Sequence, residues 1–151
     1  MQLRTNRLKH ADITDAIIRR FYDVYNELGY GFLESVYREA MIIALRTAGH
    51  SVEREKTVEV RFRGCRIGVF RTDLVVADKV IVELKSSRCL DQAHEAQLLN
   101  YLKATEFEVG LLLNFGHRAQ FRRMLLDKSF KERHWDALPE PPTTTNIQID
   151  P

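Results

Sequence analysis

The chain has 151 residues, 44% of them hydrophobic and 29% charged, the size and composition of one soluble globular domain with its own core. No apolar run approaches the ~18 residues that cross a bilayer, and MQLRTNRLKH has no apolar stretch behind its positive charge; neither a membrane partner nor a secretory signal is expected. A formal net charge of +2 excludes no class of partner by itself.

Ile13, Ala16, Ile17, Phe21, Val24 and Leu28 recur at spacings of three and four. They predict a helix over 12–28, with Asp12 or Thr14 as N-cap and Gly29 as its stop. A second helix over 33–48 follows the Gly29-Tyr30-Gly31 break, turns Tyr37, Met41 and Leu45 inward, and ends at Gly49. From 51 to 63 the period changes to two, because Val52, Val58, Val60 and Phe62 alternate with charged residues; one strand or two short ones fit. Gly64 turns the chain, and 66–76 with 79–85 predict a strand pair around Ala77-Asp78. A third helix is expected over 91–104, then a continuous apolar strand, VGLLLNF, at 109–115 and a last strand at 119–126. This order, with one strand apolar on both faces, indicates an α/β or α+β fold in which helices cover a sheet. One domain is expected over 1–134. The segment 135–151 holds all four prolines and no apolar period, and a loose tail is expected there.

Two charges interrupt the apolar strand VIVELK, and their positions follow from register. With Ala77, Asp78 and Lys79 as the loop, Val76 opposes Val80, Val75 opposes Ile81, Leu74 opposes Val82 and Asp73 opposes Glu83. Cross-strand partners share a face at ~5 Å between Cβ atoms. Lys85 joins Asp73 and Glu83 there, while Leu74, Val76, Val80, Val82 and Leu84 form the apolar face. A one-residue slip would separate the carboxylates and mix the faces. Two carboxylates so close repel unless one keeps a proton or a cation lies between them. Their oxygens suit a hard cation, Mg2+ or Mn2+, and a neighbouring lysine can steady developing negative charge. A partly exposed Asp–Lys–Glu ion-pair cluster is the alternative.

In this order the residues resemble the PD-(D/E)XK nuclease superfamily. Asp73…Glu83-Leu84-Lys85 is similar to its core signature, and Gln97…Tyr101 to the Q-x-x-x-Y helix motif of the RecB-like branch. Gly31…Glu34…Tyr37 is similar to the G-x-x-E-x-x-Y motif for which one bacterial family is named. The resemblance implies a restriction-endonuclease-like mixed β-sheet flanked by helices. It also implies metal ligation by Asp73, Glu83 and Glu34, with the Leu84 carbonyl as a further ligand. Lys85 would polarise the attacking water, and Gln97 and Tyr101 would face the site. Thr72 departs from the superfamily's proline, and the cysteines of iron–sulfur members are absent.

The expected function is metal-dependent hydrolysis of nucleic-acid phosphodiester bonds, with DNA favoured over RNA. A catalytically silent nucleic-acid-binding or regulatory module is the alternative. Arg61, Arg63, Arg66 and Arg71 fall within eleven residues, a stripe that suits phosphates or is simply a solvated face. A later group, His117, Arg118, Arg122, Arg123, Lys128, Lys131 and Arg133, has the same two readings. Glu34 also suits a helix N-terminus without catalysis, and Tyr37 and Tyr101 suit a core. Cys65 and Cys89 lack metal-ligand spacing and are expected as free thiols in a cytoplasmic protein.

Overall fold

A computed structural model describes residues 8–127 and 129. The amphipathic helices α1 (Ala11–Leu28) and α2 (Glu34–Thr47) pack together and turn Ile17, Phe21 and Val24 of one, and Tyr37, Met41 and Leu45 of the other, into the core. Helix α1 starts one residue before the expected capping positions. His10 is the N-cap in a left-handed conformation with no side-chain bond, so Asp12 and Thr14 lie inside the first turn. Gly29 does stop the helix: its φ of 68° suits a residue without Cβ, and its N–H donates to the Tyr25 carbonyl at 2.8 Å.

The strands are β1 (Val52–Arg54), β2 (Thr57–Phe62), β3 (Cys65–Arg71), β4 (Leu74–Val76), β5 (Val80–Lys85), β6 (Val109–Phe115) and β7 (Ala119–Leu125), with α3 (Gln92–Lys103) between β5 and β6. Five of them form one sheet in the order β1-β4-β5-β6-β7, and β2 and β3 form a separate ribbon. Only β5 and β6 run parallel, joined by the crossover through α3. One sheet face carries Leu74, Val76, Val80, Val82 and Leu84 against α1 and α2; the other carries Ile81 and Leu112 against Leu98 and Leu102 of α3. The α/β class expected from the sequence is therefore present, as a mixed sheet with helices on both faces. Among the described residues no helix is long and apolar enough to cross a membrane.

The expected strand over 66–76 is two strands in two sheets. The chain breaks at Thr72-Asp73, opposite Glu55, whose φ of 49° turns the partner strand at the same level. Two backbone bonds hold the corner: Glu55 N–H to the Asp73 carbonyl at 3.1 Å, and Thr72 N–H to the Lys56 carbonyl at 3.0 Å. A proline at 72 would lack that second donor. The proline-rich segment 135–151 and Lys128, Lys131 and Arg133 lie outside the described residues.

Gly116, just past β6, packs against the start of the crossover at Ser87. A Cβ there would meet the Ser87 carbonyl oxygen at 2.4 Å and Asn114 Nδ2 at 3.0 Å, and the backbone oxygen cannot yield as a flexible side chain would. Gly116→Ala is expected to destabilise the protein by about 1–3 kcal/mol, as overpacking does. At Gly68 a Cβ meets nothing within 4 Å, so Gly68→Ala serves as the neutral control in a thermal melt.

Candidate active site

The β4–β5 ladder pairs Leu74 with Val82, Val75 with Ile81 and Val76 with Val80, which is the register expected from the hydrophobic pattern. One step beyond it, side chains replace the backbone ladder. The Asp73 N–H donates to Glu83 Oε1 at 3.2 Å, and the Leu84 N–H donates to Asp73 Oδ2 at 2.8 Å. The two carboxylates are thus held side by side by each other's strands. Glu83 is only 5% exposed, whereas the Asp73 side chain reaches solvent at the corner.

Electrostatics follow from that placement. Burial above all, then the charge of Asp73 and the hydrogen bond to its side chain, push the Glu83 carboxyl up to about 9. The Asp73 N–H and the Lys85 charge act the other way but are outweighed. Glu83 therefore keeps a proton at neutral pH when no cation is present. Lys85, half-buried at the end of β5, donates from Nζ to Gln97 Oε1 at 3.1 Å. Tyr101, one turn further along α3, stacks flat on Phe70 of the ribbon at 3.8 Å between ring centroids. Burial, then the charges of Glu83 and Asp73, raise its hydroxyl pKa. Five residues singled out from the sequence, Asp73, Glu83, Lys85, Gln97 and Tyr101, therefore meet on the α3 face of the sheet.

Others do not meet there. Glu34 is exposed in the first turn of α2, and among the described residues no three His, Cys, Asp or Glu side chains converge to hold a metal ion. Tyr37 is fully buried: its hydroxyl donates to the Gly29 carbonyl at 2.6 Å and its ring stacks on Phe115 at 4.1 Å, so it anchors a loop. The arginine stripe is divided along the ribbon. Arg61 and Arg66 flank its tip and both pair with Glu59, at 2.9 and 3.7 Å, while Arg63 lies over the Phe62 ring. Arg71 stands at the ribbon's base, on the strand face opposite that of Phe70.

Two residues at the site carry no sequence motif. The Arg38 guanidinium lies 3.4 Å from Glu55 and 3.6 Å from Asp73, and its buried Nε has no partner among the described residues. It follows Glu34 by four positions, so Glu34 stands about one helical turn from the guanidinium on the same face. The only signal was that spacing. Asn114, fully buried opposite Lys85, accepts from the Ser87 N–H and donates to the Ser87 carbonyl, both at 2.9 Å. Inside an apolar run it reads as an exception with no partner in view.

Residues 11–124, from the start of α1 almost to the end of β7, match the profile of the PD-(D/E)XK nuclease superfamily. The chain belongs to that superfamily. The mixed sheet flanked by helices is consistent with the restriction-endonuclease-like PD-(D/E)XK fold. Among solved structures, the crystal structure of SSO0001 is similar at 21% identity and a TM-score of 0.47, over 68% of this chain. The chain spans 55% of the length of that protein. No curated protein matches the chain. PD-(D/E)XK proteins are usually nucleases and typically use divalent metal ions. The donor set here fits such an ion in kind: two adjacent carboxylates, one forced to hold a proton in the absence of a cation, offer the hard oxygen ligands it takes.

Proposed function

We propose that this PD-(D/E)XK protein is a metal-dependent nuclease of the RecB-like branch and its G-x-x-E-x-x-Y family, acting on DNA in preference to RNA. The observation that supports it most is the Asp73–Glu83 pair, held side by side with Glu83 buried and bordered by the Lys85–Gln97 contact. Asp73 and Glu83 would hold Mg2+ or Mn2+, and Glu34, one turn from Arg38 on α2, would complete the set. Such an ion supplies charge neutralisation at the phosphate and acidifies water. Lys85 presents a cation where charge develops on the phosphoryl oxygens, and Gln97 aims it. Arg38 balances the Asp73 charge from the α2 side. Arg71 at the ribbon base and the arginines at its tip would contact phosphates, an affinity term blind to sequence. Two free, exposed cysteines accord with a reducing cytoplasm.

One observation favours the silent-module alternative: among the described residues only two carboxylates converge, with Glu34 left at the surface. The two readings separate in one assay. Single- and double-stranded DNA and RNA are incubated with the protein and Mg2+ or Mn2+. Cleavage that stops with chelator and in Asp73→Asn is expected; binding without cleavage in every arm would leave the silent module.

A further inference from the structure

The carboxylates are not beside an open plain. An open cleft of about 840 Å³ lies past the carboxyl ends of the parallel strands β5 and β6. Such crevices are where open α/β sheets bind ligands, and the volume is within the ~300–1,000 Å³ of small-molecule sites. One wall is the segment between α1 and α2, with Tyr30 and Phe32; the opposite wall carries Arg88, His117 and Arg118. The cleft adjoins the candidate active site at the end of β5. Lys85 immediately precedes its Ser86-Ser87 floor, and Glu34 immediately follows Leu33 at its rim.

Its chemistry is specific. The Tyr30 and His117 rings pack on each other at a tilt, 4.3 Å between centroids, and so join the two walls, while Tyr30 and Phe32 remain 57% and 47% exposed and offer their outer faces. Arg88 and Arg118 are exposed, and among the described residues neither is in an ion pair and no carboxylate lines the cleft. Exposed aromatic faces beside unneutralised guanidinium groups suit an occupant with flat apolar rings and a polyanionic thread. A duplex keeps its base faces stacked inside; an unpaired strand offers them.

The walls are also preorganised. The Tyr37 hydroxyl donates to Gly29 and accepts from the Phe32 N–H at 3.3 Å, which fixes the aromatic wall. The Tyr25 hydroxyl sits 2.8 Å from the carbonyl oxygens of both Gly116 and His117, which fixes the other. Asn114 ties down Ser87 between them. Three inward side chains thus hold three surface segments that otherwise have no reason to be rigid. Preorganisation of this kind lowers the ordering cost of binding.

We infer that this cleft binds an unpaired nucleic-acid strand, stacking bases on Tyr30, Phe32 and His117 and holding phosphates on Arg88 and Arg118. It rests on the nuclease reading of the neighbouring carboxylates and narrows it to single-stranded or frayed substrate. DNA and RNA strands share this chemistry, so both are tested. Fluorescence anisotropy in EDTA measures binding without turnover, using labelled oligothymidylate, oligouridylate and a blunt duplex of equal length. The expected result is tighter binding of at least one single strand than of the duplex. Tyr30→Ala is expected to weaken it about ten- to a hundredfold, the range for one stacking aromatic. Tyr30→Phe keeps the ring and the affinity. Arg88→Ala and Arg118→Ala each reduce the slope of log affinity on log salt by about 0.7. Cys89 lines the cleft and Cys65 sits at the ribbon tip, both free and exposed, so bound strand should slow alkylation of Cys89. Equal binding of duplex, an unchanged Tyr30→Ala, or a Cys89 as reactive as in the free protein each overturns the inference. Cleavage that persists alongside any of these leaves the nuclease reading intact; single-strand binding without cleavage does the reverse.

Discussion

Glu83→Gln is expected to stabilise the metal-free protein at pH 8 while it abolishes metal-dependent cleavage. Glu83 is buried against Asp73, and its carboxyl is raised from 4.5 to about 9 in the folded chain. A group raised on folding contributes its full stability below the unfolded value and loses it as pH climbs to the folded one. Metal-free wild type should therefore weaken steadily from about pH 4.5 to about pH 9, by on the order of several kcal/mol. Glutamine keeps the acceptor for the Asp73 N–H and has no proton to lose. Its melting temperature should show none of this group's slope and exceed that of wild type by several degrees at pH 8. A divalent cation bound to the ionised pair stabilises by mass action, so Mg2+ should recover much of the deficit in wild type alone. Parallel melting-temperature profiles for the two proteins, or an equal Mg2+ shift in both, would falsify the pairing. The gain in stability and the loss of function come from one atom change, which a merely structural ion pair would not produce.

Lys85→Ala should cost about 10²–10³ in kcat, the loss seen when one preorganised donor to developing charge is removed. Stability should move little, because Lys85 is half-buried and its one hydrogen bond runs to Gln97 near the surface. Lys85→Arg should not restore turnover, since a planar fork cannot occupy the position of a compact ammonium. Gln97→Ala removes the acceptor that aims Lys85 without touching the carboxylates. It should lower kcat by about ten- to a hundredfold with KM unchanged, and a change confined to KM would make Gln97 a binding residue instead. Steady-state cleavage of a fluorescent oligonucleotide measures both constants.

The fold was legible where periodicity was strong. Helices over 12–28, 33–48 and 91–104, and the strands 109–115 and 119–126, agree with α1, α2, α3, β6 and β7 within two residues at each end. The strand expected over 66–76 failed at Thr72-Asp73. No breaker residue stands there, and the corner is imposed from across the ribbon by Glu55. The α1 cap failed similarly, because His10 in a left-handed conformation starts the helix without a side-chain bond. His94 and Glu95, in the first turn of α3, are engaged locally. His94 completes a capping box with Asp91, and Glu95 pairs with Arg122 at 3.1 Å.

Within the site, the sequence alone determined which carboxylates are neighbours. Alternation of period two and a three-residue loop are local properties, and together they leave one register for Asp73 and Glu83. The i, i+4 spacing of Gln97 and Tyr101 was equally local. Tertiary structure decided everything that needs segments distant in the chain: the seat of Arg38 on Asp73, the contact of Lys85 with Gln97, the division of the arginines along the ribbon, and the grip of Asn114 on Ser87. It also decided the charge state of Glu83, because desolvation is set by how many elements close over a group. The aromatic and basic cleft belongs to the same class. Tyr30, Arg88 and His117 share no periodicity, and only the packing of α1 and α2 across the ends of β5 and β6 makes them one surface.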